Sequence, residues 1–541
     1  MSLPGQIATT VKTKTQTLAT LTKAGIVRPA RPDKLVALGL TLARWGPTPA
    51  AGYTVSATRY PDDVAIVDEA GTLTFKQVHE RTNALAHALS DAGIGEGDGV
   101  AIMCRNHRGF IETVVACSKL GAHALFLNTA FSKPQLTDVL EREDPAALVY
   151  DQEFAELLGD ADVELKRYIA WHEPDEDSDD QRLEDLVSGD TSDLKPPKEP
   201  GKATILTSGT TGTPKGANRS QPKSMDPIAA LLDRIPLRAR ETTVIAAPLF
   251  HSWGYAHWSL GISLASTVVL KRKFDPEATL SLTAQHQATA LVVVPVMLQR
   301  ILELDDEALQ RYDLGAVKAV PASGSALPGS LSDRWMDLFG DNLFNLYGST
   351  EVAWATIATP KDLREAPGTA GKPPRGTVVK IFDDDGKRLP VGETGRIFVG
   401  NEMQFEGYTG GGNKDVIEGL MSSGDVGHFD DAGRLFVDGR DDDMIVSGGE
   451  NVFPQEVEDL LSGHEKIAEA AVFGVDDEEF GQRLKAVVVT KGGDLSEDEV
   501  KKYVKSNLAG YKVPRDVEFI DELPRNATGK VLKRELKGEG D

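Results

Sequence analysis

TSGTTGTPKGA, Thr207 to Ala217, follows the apolar-leaning run KATIL (202–206) and consists almost wholly of hydroxyls, glycines and a single lysine. Glycine frees the backbone to curl, hydroxyls and bare N–H groups donate hydrogen bonds, and Lys215 adds one mobile positive charge. Such a loop suits a polyphosphate. The Walker pattern G-x-x-x-x-G-K-[ST] does not describe it, because Lys215 follows Pro214 and precedes Gly216. Taken alone, the stretch can also be read as a flexible Gly/Thr connector, so the rest of the chain has to decide.

Before the loop, from Asp62 to Asp151, strand-like runs (VAIVD, GVAIMC, HALFLN, AALVYD) alternate with helix-like ones (TFKQVHERTNALAHALSDAG, FIETVVACSKLG). That rhythm predicts βαβ units and a mainly parallel sheet. The acid-rich break EPDEDSDDQRLEDLVSGDTSDLKPPKEPG (173–201) reads as a surface excursion. After the loop, TTVIAAPLF, STVVLKR, ALVVVPV and AVKAVPASG have the near-continuous apolar character of strands buried on both faces. From about Thr377 shorter alternating runs with turns predict a small antiparallel β unit, and a compact mixed tail follows Arg440.

At 541 residues the chain exceeds what one core supports, and 40% apolar with 26% charged residues is an ordinary globular balance. A net charge of −24 argues against a general nucleic-acid binder, so an anionic substrate needs a locally positive site. The two cysteines, Cys104 and Cys117, are too far apart for a C-x-x-C pair and read as buried thiols of a reducing compartment. The ten histidines form no zinc-ligand spacing. With no apolar run of membrane-spanning length and no secretion signal, the expected location is the cytoplasm. The first sixty residues are basic all the same: Lys12, Lys14, Lys23, Arg28, Arg31, Lys34, Arg44 and Arg59 face Asp33 alone. Within them DKLVALGLTLARWG is helix-compatible, and the arm either packs on its own domain or rests on an anionic membrane surface.

Three further stretches join the opening loop: NLYGSTE (345–351), GRDDDMIVSGGENVFPQEVE (439–458) and PRNATGK (524–530). In this order the set resembles the adenylate-forming superfamily of acyl-CoA synthetases, adenylation domains and beetle luciferases, over roughly Tyr60 to Arg534. The resemblance implies an α/β protein with a large N-terminal domain of parallel-sheet subdomains plus a small β unit, and a small mobile α+β C-terminal domain. The expected boundaries are a basic arm at 1–56, an AMP-binding domain at 57–440 and the mobile domain at 441–541, with a hinge at Asp442. It implies ATP, Mg²⁺ and coenzyme A. The chemistry agrees, since joining a carboxylate to the α-phosphate of ATP brings two anions together and needs positive charge at the point of attack and a metal at the leaving pyrophosphate.

By resemblance, Thr207, Ser208, Gly209, Thr210, Thr211, Gly212 and Lys215 wrap the β- and γ-phosphates, with Thr207 near the metal. Tyr347 offers adenine an aromatic face, Gly348 permits close backbone approach, Ser349 belongs to the ATP-binding set, Thr350 donates to phosphate and Glu351 holds Mg²⁺. Ser323, Gly324 and Ser325 of VPASGSALP line the base, although relatives more often carry two adjacent glycines there. Asp425 accepts both ribose hydroxyls and Arg440 is a second ribose contact. His251 stands beside the reacting carboxylate; Trp253, Gly254 and Tyr255 are where an apolar acid could be sheathed, though an aromatic cluster is also ordinary core. Ser447, Gly448 and Gly449 meet the pantetheine arm, where relatives with a lysine at the position of Val446 differ from this chain. Lys530 bridges carboxylate and α-phosphate in the first step.

The leading expectation is an AMP-forming ligase that couples a medium- or long-chain fatty acid to coenzyme A. An aryl-CoA ligase and an acyl-AMP ligase loading a carrier protein are the alternatives within the superfamily, and a non-catalytic nucleotide binder is disfavoured by the presence of Lys215, Glu351 and Lys530. A homodimer and contact between the arm and a membrane are both compatible with the sequence.

Overall fold

The computed structural model describes residues 3–29, 32–158, 165–173, 178–207, 215–219, 224–349, 351–403, 405–408, 414–443, 445–447, 450–477, 481–492, 494–526 and 529–538. Two compact units divide the chain: Met1–Val293, Glu303–Pro321 and Phe405–Asn413 form the first, and Val294–Leu302, Ala322–Gln404 and Lys414–Asp541 the second.

The first unit holds the βαβ architecture that the alternating runs predict. Its larger sheet has eight strands in the order Phe405–Tyr408, Lys215–Arg219, Ala203–Thr207, His123–Phe126, Gly99–Met103, Ala147–Asp151, Lys166–Trp171, Gln181–Arg182. Six of these run parallel; Lys215–Arg219 and Phe405–Tyr408 pair antiparallel at one edge. A second sheet orders Ala290–Val292, Thr242–Ile245, Thr267–Leu270, Val64–Asp68 and Gly71–Thr74, and only the last pairing is antiparallel. Crossover helices cover the strands, so Val100, Ala101, Ile102, Leu148 and Val149 have no exposed surface. Local chemistry sets the ends of these helices. Thr74 and Gln77 form a reciprocal capping box at the start of Phe75–Asp91, and Gly121 in the left-handed region (φ 77°) closes Arg108–Leu120.

The acid-rich break is not a simple surface excursion. Leu183 and Val187 are buried within it, and Arg81 pairs with Glu184 at 2.7 Å while also holding Glu112. Further on, His79 meets Asp193 at 3.0 Å and the Asn83 amide donates to the Thr191 carbonyl at 2.9 Å. Helix Phe75–Asp91 thus offers cationic and amide groups that draw the acidic segment onto the unit.

Ahead of the sheets lie three helices: α1 (Leu3–Ala24), α2 (Pro32–Trp45) and α3 (Pro49–Arg59). α1 packs on helix Asp226–Arg234, where the Thr17 and Thr20 hydroxyls donate to Asp226 and Asp233 and Leu21 and Ala24 are buried. For α1, then, the arm packs on its own domain.

The second unit contains the small β unit expected after Thr377. Val378–Phe382, Gly395–Gly400, Leu420–Phe429 and Val416–Ile417 form an antiparallel sheet, with Leu435–Arg440 added to Leu420–Phe429. A hairpin of Leu343–Ser349 with Ala353–Ala358 belongs to the same unit. The tail forms a separate sheet in which Ile467–Asp477 and Gly481–Thr490 are the long hairpin. It closes over its own core of Ile445, Val457, Leu461, Val472, Leu484, Val500 and Val504.

Candidate active site

Within the second unit Tyr347, Asp425 and Arg440 come together. Tyr347 lies on strand Leu343–Ser349, and its hydroxyl donates to Asp425, with the Ser423 hydroxyl 3.0 Å away. Asp425 and Arg440 are cross-strand partners in Leu420–Phe429 and Leu435–Arg440, and the guanidinium stands 3.5 Å from the carboxylate. Ser423 also accepts from the Asp425 amide at 3.2 Å. Burial pushes the Asp425 carboxyl above the ordinary aspartate range, while Arg440, the hydrogen bonds from Tyr347 and Ser423, and the charge of Lys530 pull it down. Burial, reinforced by the neighbouring Asp425 charge, drives the Tyr347 hydroxyl far above 10, so it stays a donor. The arrangement is a buried carboxylate facing a guanidinium on a strand pair, suited to accepting from vicinal hydroxyls.

Lys530 is exposed, and its charge acts on Asp425, although 105 positions separate them in the chain (530 − 425). Its loop is held by backbone chemistry. The Asn526 side chain accepts from the Lys530 amide at 2.9 Å, Asn526 N–H donates to the Lys530 carbonyl at 2.9 Å, and Arg525 ties to Glu469 at 2.8 Å. Gly529 has φ +79°, and a Cβ there would lie 2.2 Å from Val296 Cγ1. Only glycine fits both demands.

Gly348 is required for a different reason: a Cβ would meet the Ala353 carbonyl oxygen at 1.9 Å, at a bulge between Tyr347 and Gly348. Ser349 Oγ donates to the Glu351 carboxylate at 2.7 Å and accepts from the Glu351 and Val352 amides. Asn401 braces the turn by donating to the carbonyls of Val352 and Trp354 at 2.8 and 3.0 Å. Ser323 is buried, and Gly324 (φ +101°) and Ser325 are exposed on the loop after Ala322.

The acid-side residues belong to the first unit. His251 precedes helix Ser252–Leu264; its Nε2 is buried with no hydrogen-bond partner among the described residues, and burial lowers its pKa to about 4. The ring is therefore neutral at physiological pH and can accept a hydrogen bond. Trp253 is buried, donates its indole N–H to the Val293 carbonyl at 2.9 Å and packs edge-on against His257. Tyr255 meets Phe126 edge-on with ring centroids 5.0 Å apart. Gly254 lets the helix start pass Pro248, whose carbonyl oxygen a Cβ would approach to 2.3 Å. Of the aromatic group, Trp253 has the contacts of a core residue.

Several expected residues fall wholly or partly outside the described ones. Ser208, Gly209, Thr210, Thr211, Gly212, Thr350, Gly448 and Gly449 lie outside, and only the strand backbone is described for Thr207, Lys215 and Ser447. Thr207 and Lys215 are paired across the hairpin that carries the loop. The backbone of Asp442 forms a 3₁₀ turn, Asp441–Asp443, between Leu435–Arg440 and Ile445–Ser447.

One buried group was not legible from spacing: Cys104, His107 and Asp151 bring their ligand-type atoms within 4.8 Å of one another. Strand ends on the large sheet place them there. His107 Nε2 faces Asp151 at 2.7 Å and Nδ1 accepts from the Gly109 amide at 3.1 Å, so both ring nitrogens are engaged and the cluster caps a helix instead of offering a metal lone pair.

The family model for AMP-binding enzymes matches residues 53–409, and that for the AMP-binding enzyme C-terminal domain matches 456–530. The chain is 33% identical over 494 residues to a feruloyl-CoA synthase of Amycolatopsis sp, covering 90% of this chain and 98% of the relative. It is 30% identical to the fatty acid–[acyl-carrier-protein] ligase ScoC of Streptomyces coeruleorubidus, covering 89% and 94%. Among solved structures, o-succinylbenzoate-CoA synthetase from Bacillus subtilis in complex with its acyl-adenylate intermediate matches with a TM-score of 0.77 and 27% identity, over 90% of this chain and 97% of that one.

Proposed function

From the premise that the chain belongs to the AMP-binding enzyme family, as an ATP-dependent acyl- or aryl-CoA ligase working through an acyl-adenylate, we propose that its acid is a medium- or long-chain fatty acid. In the first step a carboxylate oxygen attacks the α-phosphorus of ATP and the bond to pyrophosphate breaks. In the second the coenzyme A thiol, losing its proton, attacks the acyl carbon and AMP leaves. The observation that carries the site assignment is the buried Asp425 held by Tyr347 and Arg440, with the charge of Lys530 acting on it.

Each residue then has a task set by its chemistry. Asp425 accepts from the ribose hydroxyls, and Arg440 keeps enough of its charge in place to do so. Tyr347 presents its ring to adenine while its hydroxyl orients Asp425. Ser323, Gly324 and Ser325 line the base, Thr350 donates to phosphate, and Ser349, whose hydroxyl is committed to Glu351, holds the turn beside the nucleotide. The loop Thr207, Ser208, Gly209, Thr210, Thr211, Gly212 and Lys215 wraps the departing pyrophosphate. Lys530 offsets the repulsion between carboxylate and α-phosphate as the new bond forms. A neutral His251 accepts a hydrogen bond and adds no charge; the attacking carboxylate is already ionised at neutral pH.

Glu351 is partly buried and its carboxylate is hydrogen-bonded by Ser349, a hard oxygen donor of the kind Mg²⁺ prefers, so Glu351 and Thr207 are the residues to hold that ion. When bound, the ion neutralises charge on the leaving pyrophosphate. Ser447, Gly448 and Gly449 receive the pantetheine arm after the domain 441–541 turns about Asp442. The buried, fully protonated Cys104 and Cys117 suit a cytoplasmic enzyme.

The apolar aromatic cluster around Tyr255 on the helix that follows His251, with Phe126 edge-on and Trp258 at 5.5 Å, supports an apolar acid. Similarity to a feruloyl-CoA synthase favours an aryl acid as the second reading, and similarity to ScoC a carrier-protein acceptor. AMP release measured over a panel of fatty and aryl acids, with and without coenzyme A, separates the three. Release that depends on free coenzyme A and peaks with aliphatic chains supports the proposal; an aryl optimum, or release indifferent to coenzyme A, overturns it.

A further inference from the structure

The N-terminal arm is unused by the ligase chemistry, and its surface is unlike the rest of the molecule. Residues 1–60 contain eight Lys or Arg and one Asp, a net +7, so the remaining 481 residues carry −31 (−24 − 7). Of the eleven large apolar side chains that stand exposed among the described residues, five lie in this same short region: Leu18, Val27, Val36, Leu40 and Leu42. On α2, Val36, Leu40 and Leu42 are 62%, 50% and 52% exposed, Gly39 between them is exposed, and Arg44 is exposed one turn beyond Leu40. Val36 and Leu40 share a face at i and i+4. The one acid of the arm, Asp33, sits in the first turn of α2, and Lys34 on the same turn reaches the Thr58 carbonyl at 3.1 Å. On α1 the buried side is fixed to helix Asp226–Arg234, and Lys14 and Leu18, one turn apart, are exposed.

We propose that α2, with the flanking cations Arg28 and Arg44, lies on the surface of an anionic lipid bilayer. No described helix is long and apolar enough to cross a membrane, so the contact is in the interface plane. Charge complementarity selects the partner. A chain of net charge −24 is repelled by an anionic surface as a whole, but screening confines each charge's influence to about 10 Å at ordinary salt, so the exposed Arg28 and Arg44 beside exposed apolar side chains, in a segment whose sequence sums to +7, decide which face can approach. Basic residues draw the helix to the headgroups, and Val36 and Leu40, which share a face with Arg44, then leave water for the acyl boundary, while Leu42 points to the opposite side of α2. A neutral surface would leave the cations unused, and a second copy of the chain would set +7 against +7.

Flotation of the full-length protein with phosphatidylcholine vesicles containing about one-third phosphatidylglycerol, against pure phosphatidylcholine vesicles, tests this. The expected result is binding to the anionic vesicles at least about tenfold above the neutral ones, weakened by high salt. Val36→Glu/Leu40→Glu and, separately, Arg28→Gln/Arg44→Gln each lose that preference while melting at the wild-type temperature by circular dichroism. Equal binding to both vesicles, no binding, or wild-type binding by the Val36→Glu/Leu40→Glu variant overturns the proposal. So does sedimentation showing a wild-type dimer that this variant dissolves, which would assign the face to a second copy.

Discussion

At the scale of single residues the site rests on a carboxylate kept ionisable against burial. Removing the Tyr347 hydroxyl takes away a donor to Asp425, a loss of about 1–3 kcal/mol for a buried charged acceptor, and moves an already raised carboxyl further up. In its proposed role Asp425 accepts ribose hydroxyls as a carboxylate, so Tyr347→Phe is expected to weaken AMP binding by about 5- to 150-fold at pH 6 and by less at pH 8. Calorimetric titration at the two pH values checks this; equal affinity of variant and wild type at both would remove Tyr347 from the site. Tyr347, Asp425 and Arg440 were legible in the sequence because each lies in a short ordered motif. The bond between Tyr347 and Asp425 was not, since it depends on two strands whose separation in space no spacing rule encodes.

At the scale of elements, helices Phe75–Asp91 and Arg108–Leu120 show how much polar structure lies under the βαβ rhythm. Lys119 is 2% exposed, and its ammonium donates to the His79 carbonyl at 2.9 Å, to Thr82 Oγ1 at 2.8 Å and to Asn83 Oδ1. Burial lowers its pKa from 10.5 to about 7. Between pH 7 and the unfolded value the unfolded chain therefore holds a proton that the folded chain does not. Stability should rise with pH in that window, at most by about 1.4 kcal/mol per pH unit, and the penalty of keeping Lys119 buried is greatest below pH 7. Lys119→Met should flatten this slope in denaturant unfolding at pH 7, 8 and 9; an unchanged slope would mean that Lys119 titrates normally. The element order was readable from alternation and turn residues. The docking of the acidic segment onto Arg81, His79 and Asn83 was not, because charge runs read as solvated until a cationic face is placed opposite them.

At the scale of the whole molecule the proposed two-step chemistry needs one chain to present two different faces in turn. The 3₁₀ turn Asp441–Asp443 is the place for that movement, with Asp441 tied to Arg396 at 3.1 Å beside it. Proline at 442 fixes φ near −65°. Asp442→Pro is expected to slow thioester formation at least about tenfold, more than 1.3 kcal/mol in barrier, while leaving AMP affinity unchanged. Rapid-quench measurement of each half-reaction checks it, and loss of both steps alike would place the hinge elsewhere. The overall class and the two family-matched regions were legible from four ordered motifs. The apolar exposure of α2 was not, since leucines at helical spacing read equally well as core.

In the proposed first step a lysine on the PRNATGK loop offsets the repulsion between a carboxylate and the α-phosphate of ATP. Exchange of labelled pyrophosphate into ATP, measured across a panel of carboxylic acids with wild-type protein and with Lys530→Ala, isolates that step. Acid-dependent exchange by the wild type and a loss of about a hundredfold or more in the variant are expected, with the conversion of supplied acyl-adenylate and coenzyme A to thioester largely retained. Exchange at the wild-type rate by Lys530→Ala, or none from well-folded wild type with any acid, would contradict this role of the lysine.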